Sequence, residues 1–317
     1  MGDLTPFRFL LVEPRYAGNV GATARGIKNF GFTRLELVAP LCSPGDEEAR
    51  RFAVDAGDVL ASAVIHPGLD DALRGATCVV GLSRRMGKQR QPHYRIDEIA
   101  PRIAGIARHG GRKVVGALPE GSPNDRVAAE QSCDDIAERV EHAHGVHYAA
   151  DRNIRPINEL LRQHLGRSHK LAATVEIVLL FGREADGLHD LELDLCTHLA
   201  YIPTADVYPA MNLGQSVAIT AYELSRALDA LGPAPAPRPL GAGEDEGDDA
   251  LADHSAREAM YAHLEESLTA VGFLKDGQVE GMMRRLRRIL GRAELTEGDL
   301  SVVRGIARQV LWLSRNR

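Results

Sequence analysis

The sequence predicts an α/β fold, a mainly parallel sheet with helices on both faces, followed by a small C-terminal helical domain. Three observations carry this prediction. Short, nearly uninterrupted apolar runs such as Phe7-Arg8-Phe9-Leu10-Leu11-Val12 and Ile177-Val178-Leu179-Leu180-Phe181 suit strands buried on both faces rather than strands with one wet side. Between them lie segments with helical spacing, the alternation expected of strand-helix-strand units. Past a proline-rich and acidic stretch, the apolar spacing becomes purely helical.

Taken in order, the first run predicts a strand over 7–13, and glycines 18, 21 and 26 open a helix over 18–30. A strand follows over 34–39, another near 63–66, a helix over 68–74 and a strand over 76–82, where Cys78-Val79-Val80-Gly81-Leu82 is again apolar. The pattern then loosens, with a helix over 97–108, a strand over 113–118 and helices near 134–144 and 153–165. Part of this, about 119–172, reads as an insertion. The α/β pattern resumes with a strand ending at Phe181, a strand through Leu199-Ala200-Tyr201-Ile202 and a helix from Gln215 to Leu228, closing a domain over 1–231. Residues 232–254 form a linker, where spaced prolines favour extension and like charges resist collapse. Residues 255–317 repeat apolar positions at helical spacing (Met260, Leu264, Leu268; Met282, Leu286, Ile289; Val303, Ile306, Val310). About 60 residues make a marginal core alone, so this unit is expected to lean on the first domain or on a partner subunit.

Composition narrows the function classes. With 44% hydrophobic and 26% charged residues among 317, the chain is an ordinary globular protein. No apolar run approaches the roughly 20 residues of a spanning helix, and the start lacks a basic-then-apolar leader, so the expected location is cytoplasmic with no membrane partner. Cys42, Cys78, Cys133 and Cys196 have no C-x-x-C spacing and read as buried or idle thiols. The formal net charge of −6 is concentrated: Leu240 to His254 holds six acidic residues and no Lys or Arg, leaving 38 acidic against 38 basic residues elsewhere. Contact with a polyanion would therefore come from local patches, one at Arg84, Arg85, Lys88, Arg90 and Arg95, the other at Arg284, Arg285, Arg287, Arg288 and Arg292.

Three distant stretches are rich in residues that grip a ligand through backbone. Asn19 to Arg25 lies where a strand feeds a helix through glycine, a junction that presents free N–H groups and the positive end of the helix dipole. Phe181 to Gly187 ends a buried strand in glycine and charge, Gly182-Arg183-Glu184-Ala185-Asp186-Gly187. Ile202-Pro203 through Tyr208-Pro209-Ala210-Met211-Asn212-Leu213 joins a strand to a helix entry. An N-x-x-x-x-x-R block, an F-G-x-E-x-x-G block and an I-P…N-L block in this order resemble the SpoU branch of the SPOUT RNA methyltransferases. The tail from Gly272-Phe273-Leu274 to Arg304-Gly305-Ile306 is similar to the extension of the TrmJ-type tRNA (cytidine/uridine-32) 2′-O-methyltransferases, so the resemblance covers nearly the whole chain.

The resemblance implies a deep trefoil knot in the second half of the catalytic domain and a homodimer with donor sites near its interface. It implies S-adenosylmethionine as methyl donor, tRNA as partner, and nucleotide 32 of the anticodon loop as target. The donor is then held mainly by backbone at Leu82, Ser83, Arg84, Gly182, Ile202, Pro209, Ala210 and Met211. For Gly182 a reason is that a Cβ would obstruct a ligand's close approach. Arg25 stands where the family places a catalytic arginine, with Asn19, Glu184 and Asn212 around it; Glu184 would orient Arg25 or Asn19. Arg183, Arg284, Arg285, Arg287 and Arg288 are the expected RNA contacts. Ala210 departs from the serine common in TrmJ-type relatives, which removes a hydroxyl hydrogen bond.

Other readings carry less. Gly18-x-x-Gly21 lacks the spacing of a dinucleotide fingerprint, and Val38-Ala39-Pro40 lacks its ribose-binding acid. His142, His144 and His147 with Asp151 imitate metal spacing, but residues two apart split across a helix, so no metal is expected. A ribosomal RNA 2′-O-methyltransferase, or an RNA-binding assembly factor that has lost the chemistry, would share the same first domain.

Overall fold

A computed structural model describes residues 4–84, 93–108, 175–232, 250–275, 277–291 and 293–315. The predicted strand over 113–118, the insertion, most of the linker, Cys133 and the His142 cluster lie outside the described residues. β1 (Phe7–Val12), β2 (Leu35–Val38), β3 (Val64–His66), β4 (Cys78–Leu82), β5 (His93–Arg95), β6 (Ile177–Phe181) and β7 (His198–Tyr201) form one seven-stranded sheet. Every neighbouring pair is parallel. The sequence reading missed β5, a three-residue edge strand too short to show a period.

The strand order is β3-β2-β1-β6-β4-β7-β5. Late strands therefore lie among early ones: β6 separates β1 from β4, and β7 separates β4 from β5. Consequently β6 runs up the position where the sheet's winding reverses, the place where open α/β sheets bind ligands beyond the carboxyl ends of their strands. Register makes the neighbours concrete. Phe181 at the end of β6 pairs with Leu11 on one side and Leu82 on the other, and Leu82 pairs with Ala200.

Both faces of the sheet are covered. Phe7, Phe9, Leu11, Leu179 and Phe181 face a large core under α1 (Ala17–Asn29), α2 (Glu47–Ala53), α3 (Gly57–Ala61), α5 (Ile96–Arg108) and α7 (Leu213–Ala230). The alternate residues Leu10, Val12, Val178 and Leu180 face a smaller core that includes Leu73 of α4 (Leu69–Leu73) and Leu193 of α6 (Asp190–Asp194). This two-sided burial explains the unbroken apolar runs. The exception, Arg8, is 6% exposed and donates from Nε and Nη2 to Glu36 at 2.8 and 2.6 Å and from Nη2 to the Ala72 carbonyl at 2.6 Å. Paired with Glu36 and hydrogen-bonded through Nε and Nη2, this buried charge is tolerated in an apolar face.

The tail folds as α8 (His254–Ala270), α9 (Val279–Gly291) and α10 (Glu297–Arg315), with Met260, Tyr261, Leu274, Met283 and Leu300 in a core of their own. It leans on the sheet domain of the same chain. The His254 N–H donates to the Ala76 carbonyl at 2.8 Å, and the buried Arg257 guanidinium donates to the carbonyls of Thr77 (2.9 Å), Ala76 (3.3 Å) and Ala252. Arg102 pairs with Glu294, and Arg284 Nε donates to Asp194 Oδ2 at 2.7 Å. Among the described residues, no helix is long and apolar enough to cross a membrane.

Arg257→Met keeps bulk but leaves the Thr77 and Ala252 carbonyls short of their donor. It is expected to lower unfolding free energy by about 2 kcal/mol, the scale of buried groups left unsatisfied. Urea denaturation checks this, together with faster tryptic cleavage within 255–317; an unchanged midpoint would mean the tail is held by other contacts.

Candidate active site

The three sequence stretches converge at the carboxyl ends of the central strands. The loop after β6 doubles back on itself: the Gly187 N–H donates to the Arg183 carbonyl at 2.9 Å, and the Arg183 N–H donates to the Gly187 carbonyl at 3.2 Å. Gly187 has φ +67°, which favours glycine. A Cβ on Gly182 would lie 2.1 Å from the Gly187 carbonyl carbon and 2.2 Å from the Leu188 nitrogen. The loop's own backbone therefore demands glycine at 182, a nearer reason than the approach of a ligand.

Glu184 leaves this loop toward the start of α1. That helix has no side-chain cap of its own and no acidic residue in its first turn. Glu184 places a carboxylate just ahead of this helix from 168 residues away: it accepts from the Arg15 N–H at 3.1 and 3.3 Å and from the Tyr16 N–H at 3.2 Å. It also accepts from Asn19 Nδ2 at 3.0 Å. This fixes the Asn19 amide, whose Oδ1 then accepts from Asn212 Nδ2 at 2.8 Å. Asn212 in turn caps α7, its Oδ1 accepting from the N–H groups of Gly214 (2.9 Å) and Gln215 (3.4 Å). One chain of donors and acceptors thus links all three motifs, and each amide has one orientation that satisfies both neighbours. Close packing supports it: a Cβ on Gly214 would sit 2.8 Å from the Ala22 Cβ.

Burial opposes ionisation of Glu184, but the hydrogen bonds from Asn19 and from the Arg15 and Tyr16 backbone outweigh it and hold the carboxyl below its ordinary value. Of the two sequence alternatives, Glu184 orients Asn19. Arg25 lies on α1, exposed, with no ion pair among the described residues. Seven residues after Gly18, it lies on that residue's side of the helix about two turns further on.

Leu82 ends β4 and Ser83 and Arg84 follow it, Gly182 follows β6 and Ile202 follows β7, so the three loops emerge from adjacent strands. The Ser83 N–H donates to the Ala200 carbonyl at 2.9 Å, and Arg84 Nη2 lies 3.7 Å from Asp206 Oδ1, tying two of these loops together. Pro209, Ala210 and Met211 lead into Asn212, with Pro209 and Ala210 exposed.

The basic residues sort differently. Arg183 is engaged internally with Glu13 and Glu192. Arg284 pairs with Asp194 and Glu280, and Arg287 pairs with Glu258 while lying 4.4 Å from the Tyr261 ring centroid. Three of the five arginines read as RNA contacts are thus engaged inside the protein, because carboxylates distant in sequence are brought against them. Arg288 also has an internal interaction, whereas Arg285 makes no ion pair among the described residues. Arg85, Lys88, Arg90 and Arg292 lie outside the described residues, and Arg95 pairs with Asp97. Cys78 and Cys196 are buried, and burial pushes both thiols up, Cys78 to about 11, which removes them as nucleophiles. Among the described residues, no group of three or more His, Cys, Asp or Glu could hold a metal ion.

Residues 6–101 and 124–222 match the SpoU rRNA Methylase family. The chain belongs to that family. Residues 255–317 match the domain described as tRNA methyltransferase TrmJ, C-terminal domain. The chain is 30% identical over 299 residues to the tRNA (cytidine/uridine-2'-O-)-methyltransferase TrmJ of Yersinia enterocolitica, covering 94% of this chain and 89% of that protein. It is 29% identical over 311 residues to the protein of the same name from Pectobacterium atrosepticum, covering 97% of each. The crystal structure of TrmJ from Z. mobilis ZM4 shares the fold, with a TM-score of 0.61 and 21% identity over 96% of this chain and 98% of that one. Glu184 of the F-G-x-E loop is legible in the sequence as a residue type, but its contacts with Arg15, Tyr16 and Asn19 are not.

Glu184→Gln is expected to destabilise the protein by about 1–2 kcal/mol at neutral pH, the scale of weakened charge-assisted hydrogen bonds. Because the native pKa lies below the ordinary 4.5, this contribution is complete above 4.5 and disappears as pH falls through the lower native value. Denaturation of both proteins at several pH values checks this; a difference that persists unchanged in acid would place the effect elsewhere than the carboxylate charge.

Proposed function

We propose that this SpoU-family protein transfers a methyl group from S-adenosylmethionine to a ribose 2′-hydroxyl in tRNA, at nucleotide 32 of the anticodon loop. The observation that carries the reading is the hydrogen-bonded chain from Glu184 through Asn19 to Asn212, in a chain whose tail also matches the TrmJ C-terminal domain. Full-length similarity to proteins named tRNA (cytidine/uridine-2'-O-)-methyltransferase supports tRNA over ribosomal RNA.

When bound, S-adenosylmethionine supplies a methyl on a sulfonium leaving group. The residues that would hold it are Leu82, Ser83, Arg84, Gly182, Ile202, Pro209, Ala210 and Met211, chiefly through backbone. The chain's remaining task is positioning and charge. The attacking 2′-oxygen loses its proton as the methyl passes to it. A guanidinium is a poor proton acceptor, so Arg25 is not the base. Its work is to clamp the neighbouring phosphate and stabilise negative charge developing on the oxygen, the proton leaving to a phosphate oxygen or water. Asn19 and Asn212 hold the helix ends that carry this arrangement, with Glu184 as their anchor. Anticodon-loop nucleotides are single-stranded, where shape and 2′-hydroxyl contacts dominate recognition. Arg285 on α9 is the remaining tail candidate for phosphate contact. The working form is a cytoplasmic homodimer in which one subunit grips the RNA that the other methylates.

Arg25→Ala is expected to cut tritium transfer from labelled S-adenosylmethionine to bulk tRNA by about a hundredfold or more, the scale of losing one transition-state charge contact. Donor affinity by calorimetry stays unchanged. Equal loss of both would make Arg25 structural, and no transfer by the unaltered protein would favour an assembly factor. Mapping 2′-O-methyl groups in tRNA and ribosomal RNA from cells with and without the protein decides the substrate.

A further inference from the structure

Arg183 lies between the two residues of its loop that matter most, Gly182 and Glu184, and its side chain is turned away from solvent contacts with a polyanion. Nε and Nη2 donate to the two Glu13 carboxylate oxygens, both at 2.8 Å. Nη2 and Nη1 donate to the two Glu192 oxygens at 2.9 and 3.0 Å, and Nη1 reaches the Gly187 carbonyl at 3.5 Å. With these contacts all five guanidinium N–H groups are directed at protein oxygens, in the planar fork geometry that suits two carboxylates at once.

The two carboxylates come from different elements. Glu13 follows β1 and has φ 45°, a left-handed conformation that costs a non-glycine residue strain. Glu192 lies in α6 and also accepts from the His189 N–H at 2.7 Å. Arg183 therefore ties the end of β1 and the start of α6 to the loop whose backbone closes on itself at Arg183 and Gly187. Residues 183–187 are only partly buried, so packing does little to shape them.

We propose that Glu13 and Glu192 are positioning residues for methyl-donor binding, acting through Arg183 to set the shape of the 182–187 loop before the donor arrives. The proposal rests on the preceding reading that the donor lies along this loop. A preformed loop spares the ordering cost that binding would otherwise meet. Hydrogen bonds from Arg183 hold the Glu13 carboxyl below its usual range, so the pair is charged at neutral pH.

The test compares Glu13→Gln, Glu192→Gln and Arg183→Lys with the full-length parent. Each glutamine keeps size and loses charge, and lysine cannot span two carboxylates. The expected result is a KM for S-adenosylmethionine raised about tenfold, with kcat at saturating donor and KM for tRNA within about twofold, as for one lost charge-assisted hydrogen bond. Hydrogen exchange should quicken at amides of residues 183–188 and stay unchanged in β1, β4 and β6. Glu192→Asp, which keeps the charge, should recover part of the donor KM. An unmoved donor KM with weakened tRNA binding would return Arg183 to RNA contact and overturn the proposal. Faster exchange throughout the sheet with a parallel fall of every kinetic constant would also overturn it. Failure of the parent protein to bind S-adenosylmethionine in calorimetry would overturn the donor reading itself, whereas parent binding with unmoved donor KM in the variants overturns the clamp alone.

Discussion

The carboxylate of Glu184 is the contact on which the site depends. Helix α1 begins without a cap, and a helix start left unsatisfied is costly. Glu184 reaches the two backbone N–H groups just ahead of that helix and also sets the Asn19 amide, which sets the Asn212 amide, which caps α7. Three loops, the second and third lying 165 and 193 residues beyond Asn19, are thereby registered to one another by side chains with a single satisfactory orientation. Cooperative chains of this kind rigidify when every member is satisfied, and a methyl transfer that relies on positioning needs such rigidity.

The sheet makes the contact possible. Because β6 lies between β1 and β4, its following loop emerges beside the start of α1 and beside Ser83. Interleaving late strands among early ones orders the chain so that loops of the second half meet the loop after β1 and the start of α1. The helical tail adds its own constraint from the opposite end of the strands. Arg257 binds the backbone at Ala76 and Thr77, immediately before β4. A core of about 60 residues, marginal alone, is thus anchored through a buried cation whose partners are backbone carbonyls.

Charge was the least legible part of the sequence. Arg183, Arg284 and Arg287 look like free cations when read along the chain, yet each meets carboxylates supplied by other elements. Spacing along a sequence reports which residues share a helix face, not which acidic residues fold against that face. Glu184 shows the same limit. Its motif marked it as important, and two partners, Arg25 and Asn19, were compatible with that motif; only the placement of β6 beside β1 selected Asn19.

What the sequence determined by itself was the class of fold and the motifs: apolar runs buried on both faces, glycine-broken strand ends, three blocks in order and a helical tail. Short elements such as α2, α3, α6 and β5 escaped it, because three to seven residues carry too little period to be distinguished from loop. The tertiary structure alone decided which loops meet, why Gly182 must be glycine, and which arginines are engaged within the protein. Those outcomes depend on strand order, on how the 182–187 loop closes on itself, and on contacts between separate elements, and no local pattern encodes them.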